Sequence, residues 1–446
     1  MLLILAGVSI SMLSGNNSIL SQAGRARDIT GEKSIAEKVQ LAYLAALTTG
    51  NGEATEPNLV SELTKEFGEH YKGLKKDQSN KPVGATIDEK DYNFDGTVTP
   101  GEGGGGGTGL VEQEDGTFKD SKGNEWVWIE VPKTVTQSAT TDSEIYNALR
   151  GYCESVITTV TSGSDYKATT CGWIDEWYAW DTTKNEAITE ETENLTDTQK
   201  ALTNGCGLSL SEYNSTKHAM LNSIKDNGGF YIGKYETGIE NSYRTYAQGE
   251  SYFNNNIEYP ATEQAVIKQN AYPYNYVTCS QAQNLAKGFA TDGKTASLLF
   301  GIQWDLVVKF LSVKGVETNL LNDNSTTWGN YSNNNSTNGT FNITSEHAMA
   351  SSDYGDSYSA ITKGTEKSGT KLLTTGSSTG LAKQGIYDLA GNVYEWTLEK
   401  TSYSNTPCAY RGGDYDASGD YGPASSRYDN SPTGSGNGVG FRVALY

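Results

Sequence analysis

The chain has 446 residues, with 54 acidic against 34 basic side chains and a formal net charge of −20. That balance excludes nucleic acid as a partner, because phosphates need a basic patch. Apolar residues make up only 36%, but 8 Trp and 28 Tyr are present, which excludes a disordered chain and favours a soluble, exported, loop-rich fold of two or three domains with an aromatic surface.

The apolar run Met1 to Leu13 is too short to cross a bilayer, which takes about 20 residues. It lacks the basic flank and the small-residue cleavage site of a secretory signal. Taken alone it reads as a buried helix. It leads into an amphipathic pattern with Ile35, Val39, Ala42 and Ala46 on one helical face. The stretch "LLILAGVSISML" followed by "GNNSILSQAGRAR" resembles the second half of the N-terminal hydrophobic segment of type IV pilins and pseudopilins. The basic leader and the Phe-Thr-Leu-Ile-Glu-type start of those proteins are absent here. The resemblance implies a long helix that anchors the protein in a membrane before assembly. Afterwards that helix would pack against other pilin subunits in a filament on a bacterial cell surface. Asn58 to Gly73 reads as a second amphipathic helix, with Leu59, Leu63, Phe67 and Tyr71 aligned. Residues 1–73 are therefore expected to be a pilin-like helical segment.

Residues 74–109 turn polar and end in "GEGGGGGTG", the composition of a flexible linker. Within them "DYNFDGTVTPGE" fits the EF-hand loop pattern from Asp91 to Glu102. Asp91, Asn93 and Asp95 would give side-chain oxygens to Ca²⁺, Thr97 a carbonyl, and Glu102 two oxygens. Pro100 and the glycine run forbid an exiting helix, and a β-turn at the Asp-Gly pair is the competing reading.

From residue 110 the pattern is rich in strands. Trp126, Trp128 and Val131 alternate in "TFKDSKGNEWVWIEVP", and "NGGFYIGKYETG" is a short strand between glycine turns. Residues 137–210 read as an insertion with helical character from Ser143 to Val156. "CSQAQNLAKGF" reads as a helix capped by Ser280. "ASLLFGIQWDLVVKFLSV" is the most apolar helical stretch, with Trp304, Val308 and Leu311 on one face, and a long polar loop follows it. Of the five cysteines, Cys153, Cys171 and Cys206 lie near one another in sequence, with Cys279 and Cys408 later. One disulfide among the first three would suit an exported protein, and buried free thiols are the equal alternative. No two cysteines have CxxC spacing, and three scattered histidines (His70, His218, His347) offer neither a multi-histidine metal site nor a Ser-His-Asp triad.

The series "WVWIEVP", "GGFYIGKYETG", "GIQWDLV", "GIYDLAGNVYEWT", "RGG" and "GFR" resembles the formylglycine-generating enzyme, or sulfatase-modifying factor, family over residues 110–446. The resemblance implies an α+β fold of the C-type lectin type with buried aromatics and structural Ca²⁺. It places Asn392 and Glu395 near a metal or in a buried hydrogen-bond network. Catalytic members hold copper with a cysteine pair between the "RGG" and "GFR" elements. Residues 411–446 contain no cysteine, so the expectation is a non-catalytic branch without copper.

Residues 412–440 lack Lys, Glu, Gln, Met and Trp. These types cannot be reached from the Asn codons AAC and AAT by changing adenines alone. The skeleton "RGG…GPAS.R…SPT…VGFRVALY" resembles the variable region of diversity-generating retroelement proteins, in which such changes rewrite a lectin-fold surface. Tyr, Ser, Gly, Asn and Asp are also the residues of adaptable binding loops. The expected contact surface begins with Asp414, Asp416, Ala417, Ser418, Asp420 and Tyr421. It continues through Ser426, Tyr428, Asp429 and Asn430 to Gly434, Gly436, Asn437 and Gly438. Arg411, Pro423, Phe441 and Arg442 are expected to be scaffold, with Phe441 in the core and Arg442 paired internally. The ligand expected is a protein or glycan on another cell or a phage.

Overall fold

The computed structural model describes residues 35–49, 54–76, 81–87, 90–94, 109–154, 156, 174–245, 260–291, 293–334, 341–351, 357–367 and 369–446. The chain divides into two compact units, Met1–Gly105 and Gly106–Tyr446.

In the first unit, helices α1 (Ile35–Thr49) and α2 (Glu56–Phe67) precede an antiparallel meander of β1 (Tyr71–Lys76), β2 (Pro82–Ile87) and β3 (Lys90–Asn93). Leu59, Leu63 and Phe67 recur every fourth residue on α2. They bury against Val39, Ala42 and Ala46 of α1 and against Ala85 and Ile87 of β2. Tyr43 stacks on Phe94 with ring centroids 4.6 Å apart.

This unit corrects two expectations, the extent of the second helix and the linker. Helix α1 covers only the end of the long helix expected at the start of the chain, whose apolar segment Met1 to Leu13 lies outside the described residues. The second helix stops at Phe67. Gly68 there takes φ 54, a positive value that glycine tolerates, and Tyr71 starts a strand. The expected linker is a sheet as far as Asn93. Asp91 pairs with Thr86 and Asn93 with Gly84 in that sheet. Asp95, Thr97 and Glu102 lie outside the described residues. No helix among the described residues is long and apolar enough to cross a membrane.

The second unit mixes helix and sheet, as expected. Its larger sheet has β4 (Val111–Glu112), β5 (Phe118–Lys119), β6 (Glu125–Glu130), β7 (Gly229–Gly233), β8 (Ala296–Leu298) and β13 (Val443–Leu445), in the order β8-β13-β7-β6-β5-β4. The smaller sheet has β9 (Tyr394–Lys400), β10 (Cys408–Arg411), β11 (Arg427–Asn430) and β12 (Val439–Phe441), in the order β11-β10-β9-β12. The β9–β12 pair is parallel and the other pairs of these two sheets are antiparallel.

Helices α3 (Asp142–Glu154), α4 (Leu210–Asn222), α5 (Cys279–Lys287) and α6 (Gly301–Val313) complete the frame. Helix α6 packs against β6, β9 and α3. Ile302, Trp304, Leu306, Val307, Val308 and Leu311 are all buried on it, the pattern of a central helix. Asp175 caps it, accepting from the Gly301 and Ile302 amides at 2.7 and 2.8 Å. Helix α5 is capped by Thr278 instead of Ser280, through a reciprocal capping box with Gln281.

Within the expected insertion at 137–210, Trp177, Leu195, Cys206 and Leu208 are buried in the core. The disulfide joins Cys206, one of the expected trio, to Cys279 outside it. Cys153 and Cys408 are buried free thiols, and Cys171 lies outside the described residues.

Leu63 is fully buried, and its truncation leaves a cavity. Leu63→Ala should destabilise the first unit by about 2–4 kcal/mol. Faster amide exchange at Ala85 and Ile87 would report it.

Candidate functional site

The C-terminal segment is built on three buried arginines. Arg411 ends β10 and Arg427 begins β11, and the two stand opposite each other in the strand register. Arg411 donates to Asp305 on α6 at 2.7 Å and to Glu399 on β9 at 3.1 Å. Arg427 donates to the same two carboxylates at 2.6 and 2.7 Å. Two cations and two anions therefore close a cluster that spans α6, β9, β10 and β11. Such charge-assisted bonds are the strong ones, and each depends on its partners staying charged. Arg442 holds Glu395 at 2.6 Å and also donates to the carbonyls of Gly233 and Tyr387 at 2.8 and 2.9 Å. Phe441 is fully buried and Pro423 is buried. All four expected scaffold residues are internal.

Between Arg411 and Arg427 the chain is held by its main chain. The Ser325 amide donates to the Gly419 carbonyl, and the Ser332 amide to that of Ala417, each at 2.9 Å. The Gly419 amide donates to Asn333 Oδ1 at 3.0 Å. The Tyr331 hydroxyl lies 2.9 and 2.7 Å from the carbonyls of Gly412 and Gly422. Trp304 Nε1 donates to the Ala424 carbonyl at 2.9 Å. Further on, the Tyr276 amide and Asn275 Nδ2 donate to the carbonyls of Gly436 and Asn437 at 3.0 and 2.9 Å. Every one of these bonds uses a backbone atom of the C-terminal segment.

The expected contact residues divide by exposure. Asp416, Asp420 and Tyr421 are exposed, and Tyr421 is 41% accessible, which is high for a large ring. Asp414, Ala417, Ser418, Tyr428, Asp429, Asn430, Gly436 and Asn437 are half-buried. Ser426, Gly434 and Gly438, also expected there, are buried. A Cβ at Gly438 would come within 2.2 Å of Asp414 Oδ2, so that glycine serves close packing. Tyr428 stacks on Tyr410, with centroids 5.4 Å apart and planes at 7°, and Tyr410 touches Tyr394 at 4.6 Å. Asn437 Nδ2 donates to the Tyr415 hydroxyl. Burial pushes the Asp414 carboxyl up to about 7; neighbouring Asp416 adds to this and the Ala417 amide opposes it.

Asn392 and Glu395 belong to a hydrogen-bond network. Asn392 Nδ2 donates to Glu236 Oε1 and to the Leu373 carbonyl, and its Oδ1 accepts from Asn330 Nδ2 at 2.8 Å and the Leu373 amide at 3.0 Å. Both Glu395 oxygens face Arg442, so a cation there would compete with a guanidinium. Among the described residues, only Cys206, Cys279 and Cys408 bring three ligand-type atoms close together.

The sequence reading missed Asp305, Glu399 and the clamp at 325–333, and it placed Arg427 in the fixed skeleton without a partner. Arg427 did carry a signal, as the single cation between residues 412 and 440. The clamp gave none, because a polar loop reads alike whether or not it grips a neighbour.

Residues 312–446 match the family described as the sulfatase-modifying factor enzyme 1-like domain. No curated protein matches the chain. Three solved structures align with it, each at 16% identity. PvdO from Pseudomonas aeruginosa has a TM-score of 0.25 and covers 49% of this chain and 80% of its own. Treponema denticola variable protein 1 has a TM-score of 0.19 and covers 57% and 74%. CarF has a TM-score of 0.19 and covers 68% and 82%.

Two variants test this geometry. Glu399→Gln removes one anion from the four-charge cluster and should destabilise the second unit by about 3 kcal/mol in urea titrations. Asp414 has a folded pKa above its unfolded value, so it favours the fold at low pH and loses that contribution as pH rises towards 7. Asp414→Asn should therefore gain stability relative to wild type between pH 5 and 8. The gain should be on the order of 1–2 kcal/mol, after allowing for solvent screening at a half-buried site.

Proposed function

We propose that this chain is a non-catalytic, surface-displayed ligand-binding protein. Its binding face is the C-terminal segment, carried on a C-type lectin-like frame of the sulfatase-modifying-factor type. One observation carries the reading: the loop between Arg411 and Arg427 is held through backbone atoms, while Asp416, Asp420 and Tyr421 project outward from it. Their side chains can change without disturbing the frame, and Tyr with small polar neighbours gives contact area and hydrogen bonds at low entropic cost. The match of residues 312–446 to the sulfatase-modifying factor domain agrees with such a frame. The ligand is a protein or glycan on another cell or on a phage.

The absence of five residue types from 412–440 supports diversification of this face by a retroelement. The apolar start of the sequence supports display on a bacterial pilus, with membrane anchoring before assembly and other pilin subunits as neighbours. Modest affinity per site would then be raised by avidity. Residues 411–446 hold no cysteine, which argues against the copper chemistry of catalytic relatives. Supplied with copper, oxygen and a cysteine-containing peptide, the protein should leave the peptide thiol unconverted by mass spectrometry.

Sequencing the DNA beyond the 3′ end of the gene tests diversification. The expected finding is a near-copy of the last hundred-odd bases, differing only at adenines, beside a reverse-transcriptase gene. A fixed, uncopied 3′ end would remove the retroelement from this reading. The face itself is tested by the quadruple variant D416A/S418A/D420A/Y421A. Because three of these positions are exposed and Ser418 is half-buried, its Tm should stay within about 3 °C of wild type. Its signal on a glycan array or a panel of cell-surface proteins should fall at least about tenfold, a loss of roughly 1.4 kcal/mol.

A further inference from the structure

The disulfide has a third sulfur beside it. Cys206 precedes α4, Cys279 opens α5, and Cys408 opens β10. Their Sγ atoms all lie within 4.8 Å of one another, and each residue is 2% exposed or less. Cys408 Sγ is 3.3 Å from the Tyr178 hydroxyl. Cys206 and Cys279 both face the Thr397 carbonyl, at 3.7 and 3.8 Å. The packing around the three is tight. A Cβ on Gly205 would come within 2.4 Å of the Tyr178 hydroxyl, 2.6 Å of Pro432 and 2.8 Å of Cys408 Sγ.

We propose that Cys206, Cys279 and Cys408 form an exchangeable disulfide triad in which Cys408 takes the place of either partner. The Cys408 thiolate attacks one sulfur of the Cys206–Cys279 bond. A new S–S bond forms to that sulfur and the old one breaks. The expelled sulfur leaves as a thiolate and takes up the proton that Cys408 lost. No electrons enter or leave, so no oxidant or reductant is consumed. Burial pushes the Cys408 thiol up to about 12, which makes its thiolate scarce at neutral pH. Exchange is therefore slow in the closed fold, and the distribution of isomers is set while the chain oxidises and packs. The isomers differ in what they tie. The Cys206–Cys279 bond links the segment before α4 to α5, whereas either bond to Cys408 tethers β10. Cys408 stands opposite Asn430 in the register that places Tyr428, Asp429 and Asn430. The third cysteine thus offers a covalent tie to the sheet under the candidate face, whether or not that face binds a ligand.

Trypsin separates the three sulfurs cleanly, on peptides 201–217, 269–287 and 401–411. The full chain is refolded in a glutathione redox buffer, quenched with N-ethylmaleimide and mapped without reduction. In wild type, a measurable fraction of peptide 401–411 should be disulfide-linked to one of the other two. In Cys206→Ser the Cys279–Cys408 link should replace the lost bond in most molecules, and in Cys279→Ser the Cys206–Cys408 link should do so. The proposal is overturned if, in both variants, Cys408 and the remaining partner are recovered alkylated in a buffer where wild type forms the Cys206–Cys279 bond. If the variants do not fold, the wild-type map decides, and peptide 401–411 recovered only in alkylated form would refute it.

Discussion

The fold of the C-terminal segment turns on four charges. Arg411 and Arg427 face each other across two paired strands, an arrangement that like charges would ordinarily oppose. It stands because Asp305 and Glu399 sit between them, each bonded to both guanidiniums. The four residues come from α6, β9, β10 and β11, so the cluster locks the central helix to the smaller sheet. It also fixes both ends of the loop from Gly412 to Ser426. The exposed residues Asp416, Asp420 and Tyr421 lie inside that loop and cannot drift as a unit while its ends are pinned.

Pinning the ends does not set the loop's path, and a second layer of bonds does that. Tyr331, Ser332, Asn333 and Ser325 reach the loop's carbonyls and amides. Backbone groups are present whatever the side chain, so the path survives changes in sequence. Asp414 marks the limit of this freedom. It bonds the Ala417 amide, and its carboxyl oxygen would touch any Cβ placed at Gly438, so it belongs partly to the frame. Asp420 is the milder case: Asn333 Nδ2 reaches its Oδ1 at 3.2 Å in an exposed setting, where a bond adds little.

Much of the second unit was legible because its signals are local. Alternation in "EWVWIE" gives β6, and the apolar run from Gly301 gives α6. The stiff residues Arg411, Pro423, Phe441 and Arg442 read correctly as frame because a large or charged side chain among small ones needs a reason to be there. The first unit was less legible. "YKGLKK" and "KDYN" are polar and lysine-rich, which suits the edges of a small sheet but also suits a linker. Strand pairing decides between these readings, and pairing is non-local. The same limit hid Cys206–Cys279, whose partners are 73 residues apart, and Gly438, whose glycine answers to Asp414 and not to its neighbours in sequence.

The use of charge in this core bears on the register of the strands that carry the loop. Buried ion pairs add little net stability over apolar packing, because desolvation offsets most of the attraction. Their bonds are directional, however, and a missing partner is heavily penalised. An apolar cluster at the same place would hold α6 against the sheet equally well but would tolerate small slips of β10 against β11. A slip of one residue would reverse which side chains face outward. Two arginines sharing two carboxylates admit one register. The four-charge cluster therefore fixes the register from residues that lie outside the exposed loop.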